Sequence, residues 1–326
     1  MSIPSSPKLD GLDIIQTTYK KIGDHEIRTD ILIPQTPHEG QRPVIIRLHG
    51  GGFVFGDSLH MAFYPHWLND LAIKHGAVVI SPNYRLIPEA TITDIHDDLE
   101  DLWTWVHSSA LADLLAAHTT PTAVNLDRVL TIGESAGGML SINLALSHPS
   151  DTRACIAMYP CVDLQSPDYH TPREYPPFGQ SFPKEAFQKV LSSAVSGTSV
   201  SSITEQERLV FMLSGAQYGE LGGLWVKGVK ESERARIYPF EKFELPDCGL
   251  PRGGMTIVQG AQDSVVPPRG PEKFVHRARE VFSGKPGGDK IFFNLRNGEH
   301  GFDSDARYSE EWLQDTLKVA VETWLE

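Results

Sequence analysis

The stretch "TIGESAGGML" (131–140) sets Ser135 between Gly133 and Gly137, after the apolar run "RVLTIG" (128–133) and ahead of a helix-like run that ends near His148–Pro149. A β-branched apolar run passing directly into a helical pattern predicts a strand–helix corner. A corner that sharp forces its central residue into a strained backbone conformation and leaves no room for side chains two positions away. The glycines meet that demand. The turn lifts the Ser135 hydroxyl out at the tip of a sheet. The helix behind it aims its positive N-terminal end, with the free N–H of Ala136, at the same point.

Five residues are a weak motif, so the surroundings decide. Apolar β-branched runs recur at "PVIIRLHG" (43–50), "AVVISPNY" (77–84), "ACIAMYP" (154–160), "MTIVQG" (255–260) and "KIFFNLRN" (290–297). They show little alternation, as expected of strands buried on both faces of a mainly parallel sheet with helices on each side. The earlier segments 14–22 and 26–34 alternate more and predict an antiparallel edge pair. Ile95, Leu99, Leu102, Trp103 and Val106 share a helix face, and Asp97, Asp98, Glu100 and Asp101 lie off it, which reads as a solvated acidic face. A further helix is predicted from about Glu310 onward. The rhythm breaks between about 164 and 245. That insert opens on "QSPDYHTPREYPPFG" and carries Phe178, Phe182, Phe187, Phe211, Tyr218, Trp225 and Tyr238, which would form its own core or line a pocket.

The 326 residues suffice for one large core. With a formal net charge of -13 and no Lys/Arg run, the chain is a poor fit to nucleic acid or to anionic membrane surfaces. The first twenty residues lack an apolar leader core, and no stretch reaches the roughly twenty apolar residues of a membrane span. Cys155, Cys161 and Cys248 have neither metal-ligand spacing nor an even count. Together these features predict a cytoplasmic protein in a reducing compartment.

A serine hydroxyl needs a base to accept its proton, and the base needs a carboxylate to orient it. His300, in "NGEHGFD" (297–303), follows the last strand run and is the candidate base. Asp263, in "GAQDSVVP" (260–267), sits at another strand end, with Asp247 as its rival in the loop before that strand. The order Ser135, Asp263, His300 suits the architecture. "RLHGGGF" (47–53) places three glycines after a buried strand, where turned-in backbone N–H groups can bind an oxyanion, and His49 is read as bracing that loop. Glu299 is given no role.

The set "HGGGF" (49–53), "NYRLIPE" (83–89), "GESAGG" (133–138), "YPCVDL" (159–164), "GAQDSVVP" (260–267) and "EHGF" (299–302) resembles the hormone-sensitive-lipase-like branch of the α/β-hydrolase fold. The resemblance implies a mainly parallel eight-stranded sheet flanked by helices. Residues 1–164 and 246–326 would be the catalytic core and 165–245 a helical cap. It further implies an esterase acting on a small or medium soluble ester through an acyl-enzyme. Ser135 would be the nucleophile, His300 the base, Asp263 the orienting acid, and Gly51, Gly52 and Ala136 the oxyanion donors. Arg85 and Glu89 would pin the loop behind the site.

No metal or organic cofactor is implied, and the only partners suggested are a small-molecule ester or related acyl substrate and a homodimer mate. The same triad would also serve acyl transfer, or lactone or C–C bond cleavage; a non-catalytic ligand-binding scaffold is the remaining alternative. Two features depart from the family. The first strand begins near residue 14 where relatives carry N-terminal helices, which would leave the cap open or partner-completed, and "GAQDSVVP" lacks the commoner pattern around the acid.

Overall fold

The computed structural model describes residues 3–326. Eight strands form one sheet: β1 (Leu12–Ile22), β2 (His25–Pro34), β3 (Arg42–Leu48), β4 (Val78–Pro82), β5 (Val124–Glu134), β6 (Thr152–Met158), β7 (Met255–Gly260) and β8 (Ile291–Arg296). Their spatial order is β1-β2-β4-β3-β5-β6-β7-β8. β1 pairs antiparallel with β2, and β2 antiparallel with β4; every later pairing is parallel. The continuous apolar runs have the predicted consequence. Along β3, Val44 and Ile46 face one core while Ile45 faces the other, and along β5 Val129 and Leu130 divide in the same way.

Helices α1 (His66–His75), α2 (Ile92–Val106), α3 (Ser109–Ala116) and α4 (Ala136–Ser147) alternate with the central strands, and α11 (Arg269–Val281) and α12 (Glu311–Leu325) follow β7 and β8. α1 and α12 cover one face with Trp67, Leu71, Leu317 and Trp324; α2, α4 and α11 cover the other with Leu99, Leu140 and Phe274. α2 begins at a capping box, in which Thr91 accepts from the Asp94 N–H and the Asp94 carboxylate accepts from the Thr91 N–H.

Between β6 and β7 the chain leaves the sheet. It builds α5 (Pro167–His170), α6 (Lys184–Ser193), α7 (Gln206–Tyr218), α8 (Leu221–Trp225), α9 (Arg234–Ile237) and α10 (Pro239–Lys242). Phe187 and Phe211 stack at 4.7 Å as this insert's own core. Among the described residues no N-terminal helical layer is added to it. The described residues ahead of β1 form a 3-10 turn, Pro7–Leu9, before the strand begins at Leu12.

On the acidic side of α2, Asp97, Glu100 and Asp101 keep contact with solvent as their spacing suggested, and Asp98 departs from it. Asp98 is wholly buried, its two oxygens bind the Arg85 guanidinium, and Lys20 stands 2.7 Å away. Asp101 pairs with Lys20, Asp97 with Arg236 and Glu100 with His148. These partners come from β1, the loop after β4, the insert and the end of α4. Helical spacing along one segment carries no information about them.

Candidate active site

The residues singled out from the sequence gather where the parallel strands end, the edge at which helices also begin. Ser135 follows β5 with φ 56 and ψ -118, a left-handed conformation that a non-glycine residue adopts only under constraint. Its N–H donates to the Met158 carbonyl at 2.9 Å, and its own carbonyl accepts from the N–H groups of Met139 and Cys161. The flanking glycines are required by contact. A Cβ on Gly133 would lie 2.0 Å from the Gly137 carbonyl oxygen, and one on Gly137 would lie 1.9 Å from that of Leu48. Behind the turn, Glu134 is buried and held by Arg47 through Nε at 3.2 Å and Nη2 at 3.0 Å; the same guanidinium covers the Tyr64 ring at 4.2 Å. This buried pair fixes the residue next to Ser135, and nothing along either segment announces it.

Asp263 stands beyond β7 with its carboxylate almost wholly used. One oxygen accepts from the Val265 and Val266 N–H groups at 2.9 and 2.7 Å. The other meets Gln259 Nε2 at 3.0 Å and His300 Nδ1 at 2.8 Å. Asp247, the rival carboxylate, has no such contact with His300. Glu299 does have a task. Its Oε1 accepts from the Ser264 N–H at 2.6 Å and the His300 N–H at 2.7 Å, stitching the acid loop to the histidine loop. The partners are backbone N–H groups, one of them 35 positions away, and carry no side-chain signature in the sequence.

His300 and Ser135 line one cavity of about 430 Å³ together with Gly50, Gly51 and Tyr159. No direct hydrogen bond joins the two side chains among the described residues. Such contacts commonly tighten only once a ligand excludes water.

In the glycine loop, Gly51 has φ 111, and a Cβ there would lie 1.9 Å from the Phe55 carbonyl oxygen. Its carbonyl is spent on the N–H groups of Val54 and Phe55, while no backbone carbonyl among the described residues takes the N–H of Gly51 or Gly52. Ala136 is the first residue of α4, where an N–H has no partner within the helix. His49 stacks on Tyr84 at 4.3 Å and approaches the Gly50 carbonyl at 2.7 Å through Nδ1, which braces the loop as expected. Burial pushes its imidazole down to about 4, so it stays neutral.

The insert closes the cavity from above. Phe178, Phe182, Leu209 and Leu213 line it, together with Ala62 and Phe63 of the core. Among the anchors that join insert and core, Trp225 Nε1 donates to the Gly52 carbonyl at 2.8 Å, Arg208 pairs with Glu89, Arg173 donates to the carbonyls of Ser264 and Val265, Leu86 N–H donates to the Val200 carbonyl, and Gly56 and Ile203 exchange backbone bonds. Glu89 thus ties the insert to the loop behind the site, since its partner Arg208 also donates to the Ile87 carbonyl, and Arg85 pins the same loop through Asp98 and Asp94. Among the described residues no group of three or more His, Cys, Asp or Glu side chains is arranged to hold a metal ion, and no helix is long and apolar enough to cross a membrane.

A family model for the α/β-hydrolase fold matches residues 45–207. Over 99% of its length the chain is 27% identical to the whole of a probable carboxylesterase M8 from Phoma sp.. Over 108 residues, 32% of this chain and 47% of the relative, it is 39% identical to a probable carboxylesterase clz11 of Cochliobolus lunatus. In structure it is similar to esterase B from Lactobacillus rhamnosis, with a TM-score of 0.59 at 15% identity, covering 97% of this chain and 85% of that one. The last likeness speaks for the fold alone. The chain belongs to the α/β-hydrolase family and within it is carboxylesterase-like.

Proposed function

We propose that the protein hydrolyses a small or medium soluble carboxylic ester through an acyl-enzyme on Ser135. The observation that carries this reading is the 2.8 Å contact between His300 Nδ1 and the buried Asp263 carboxylate, at the wall of the cavity that the strained Ser135 also lines. Asp263 holds the imidazole in the tautomer whose Nε2 is free to accept a proton. As Ser135 Oγ attacks the ester carbonyl, His300 takes its proton. The N–H groups of Gly51, Gly52 and Ala136 receive the oxyanion. His300 then returns the proton to the departing alcohol, and water, activated by the same imidazole, releases the acid.

We read residues 165–245 as a cap that shapes the acyl and alcohol pockets. Its cavity-facing side chains are mostly apolar, and among the described residues no Lys or Arg lines the space, which favours uncharged ester groups.

Ser135→Ala is expected to lower turnover of p-nitrophenyl butyrate by about 10⁴-fold or more and to abolish labelling by a fluorophosphonate probe. A variant that keeps most of its turnover, or a wild-type chain that stays unlabelled, would overturn the reading. Product capture with competing alcohols and amines separates hydrolysis from acyl transfer.

A further inference from the structure

Three residues beyond His300 lies a carboxylate that the proton transfers do not use. Asp303 is wholly buried, and both its direct partners are neutral donors: Trp67 Nε1 at 2.7 Å on one oxygen and Tyr159 Oη at 2.8 Å on the other. Taking a carboxylate out of water is costly unless its oxygens are bonded, so a chain that keeps one here gains something from it. Hydrogen bonds to an ionised acceptor are also short and strongly directional, which makes this pair a rigid mount for whatever it holds.

What it holds is the Tyr159 ring. Tyr159 is the first residue after β6 and sits at φ 38, a strained conformation for any side chain, with its N–H bound to the Val258 carbonyl at 2.7 Å. Its phenol packs against the His300 imidazole, with ring centroids 4.5 Å apart and planes at 59°. An imidazole held only through Nδ1 can swing about that one hydrogen bond. A ring packed beside it at a fixed tilt blocks the swing, provided the ring itself cannot turn. The bond from Oη to Asp303 supplies that condition.

We propose that Asp303, acting through the Tyr159 phenol, is a positioning residue that holds the His300 imidazole with Nδ1 on Asp263 and its opposite edge toward the cavity. The inference rests on the proton-transfer role proposed for His300. Small misplacements of a base lower the rate of transfer far more than they weaken ground-state binding.

The test uses Tyr159→Phe, Asp303→Asn and the double variant, with kcat expressed per active site titrated to completion with a fluorophosphonate, and Ser135→Ala, with turnover expressed per mole of folded protein. Tyr159→Phe and Asp303→Asn should each lower kcat by about tenfold with KM held within about twofold, the size expected for one hydrogen bond to a charged group. Because both cut the same connection, the double variant should be no worse than the weaker single variant. Tyr159→Leu, which removes the ring face, should fall further.

Full kcat per titrated site in Tyr159→Phe, or losses that multiply in the double variant, would overturn the proposal. A purely structural role would lower the titratable fraction and leave kcat per site unchanged, which also overturns it. If Asp303→Asn fails to fold, Tyr159→Phe carries the test alone. An inactive Ser135→Ala beside a fully active Tyr159→Phe would sink this inference only; an active Ser135→Ala would sink the catalytic reading and this inference with it.

Discussion

The two walls of the cavity are built by different means. On the sheet side, Ser135 and Asp263 are almost fully buried, and both are fixed by backbone N–H and carbonyl groups at strand ends. On the insert side, Phe178 is 41% exposed, and Tyr175 in the same loop is 76% exposed. Side-chain anchors hold that wall, Trp225 on Gly52, Arg208 on Glu89 and Arg173 on the acid loop, together with short backbone pairs at Gly56–Ile203 and Leu86–Val200. A group that must meet a reacting atom within a fraction of an ångström has to be set by the backbone of rigid elements. A wall that only excludes water and sorts substrates by shape needs far less, and can be tethered at a few points. The difference teaches that chemistry and selectivity in this molecule can be altered separately.

The sharpest way to break that comparison is at the rigid wall. Asp263→Asn keeps the shape of the acid but favours the wrong imidazole tautomer, and kcat should fall by about 10⁴-fold while the unfolding midpoint moves little. Steady-state kinetics with thermal unfolding checks this, and a fall of tenfold or less would remove Asp263 from the triad.

Cutting a tether comes next. Glu89→Gln leaves the Arg208 guanidinium, nearly buried, without its counter-charge, and should cost on the order of 4 kcal/mol in stability. KM should rise severalfold as the insert loosens, while kcat per labelled site stays close to normal. Equal losses in both kinetic constants would mean that the insert positions the chemistry after all.

The brace beneath the glycine loop gives a pH signature. The fold keeps His49 neutral down to about 4, whereas in the unfolded chain it takes up a proton near its ordinary value of 6.5. Its contribution is therefore complete above about pH 6.5 and is lost progressively as pH falls toward 4, on the order of 3 kcal/mol in all. Urea midpoints at pH 7, 5.5 and 4.5 should decline more steeply in the wild type than in His49→Gln. Parallel slopes would refute this.

The smallest effect on the fold lies at the loose wall. Phe178→Ala should shift the preferred acyl length of kcat/KM by about tenfold toward longer chains, without moving the unfolding midpoint. An unchanged profile across a panel of p-nitrophenyl esters would show that Phe178 does not sort substrates.

The catalytic candidates were legible because each is announced by its neighbours along the chain. Gly133 and Gly137 betray the turn at Ser135, "HGGG" betrays a backbone turned inward, and Asp263 and His300 each follow a buried apolar run that places them at a sheet end. The supporting groups have no such local mark. Arg47 and Glu134 lie 87 positions apart and Tyr159 and Asp303 lie 144 apart, and nothing in either segment names the other. Asp98 went further and misled, because an acid off the apolar face of α2 reads as solvated until Arg85 and Lys20 arrive from elsewhere.

Alternation, strand–helix punctuation and the small residues at tight corners determined the sheet, its flanking helices and the edge where the reactive side chains would stand. These are short-range properties, set by backbone sterics and by which face of a segment avoids water. Tertiary structure alone decided which carboxylates are buried and paired, that Glu299 joins two loops, and that the insert leans on Gly52 through Trp225. Those outcomes depend on charges and donors meeting across long stretches of chain. Their energies belong to the pair and its burial, which no single segment contains.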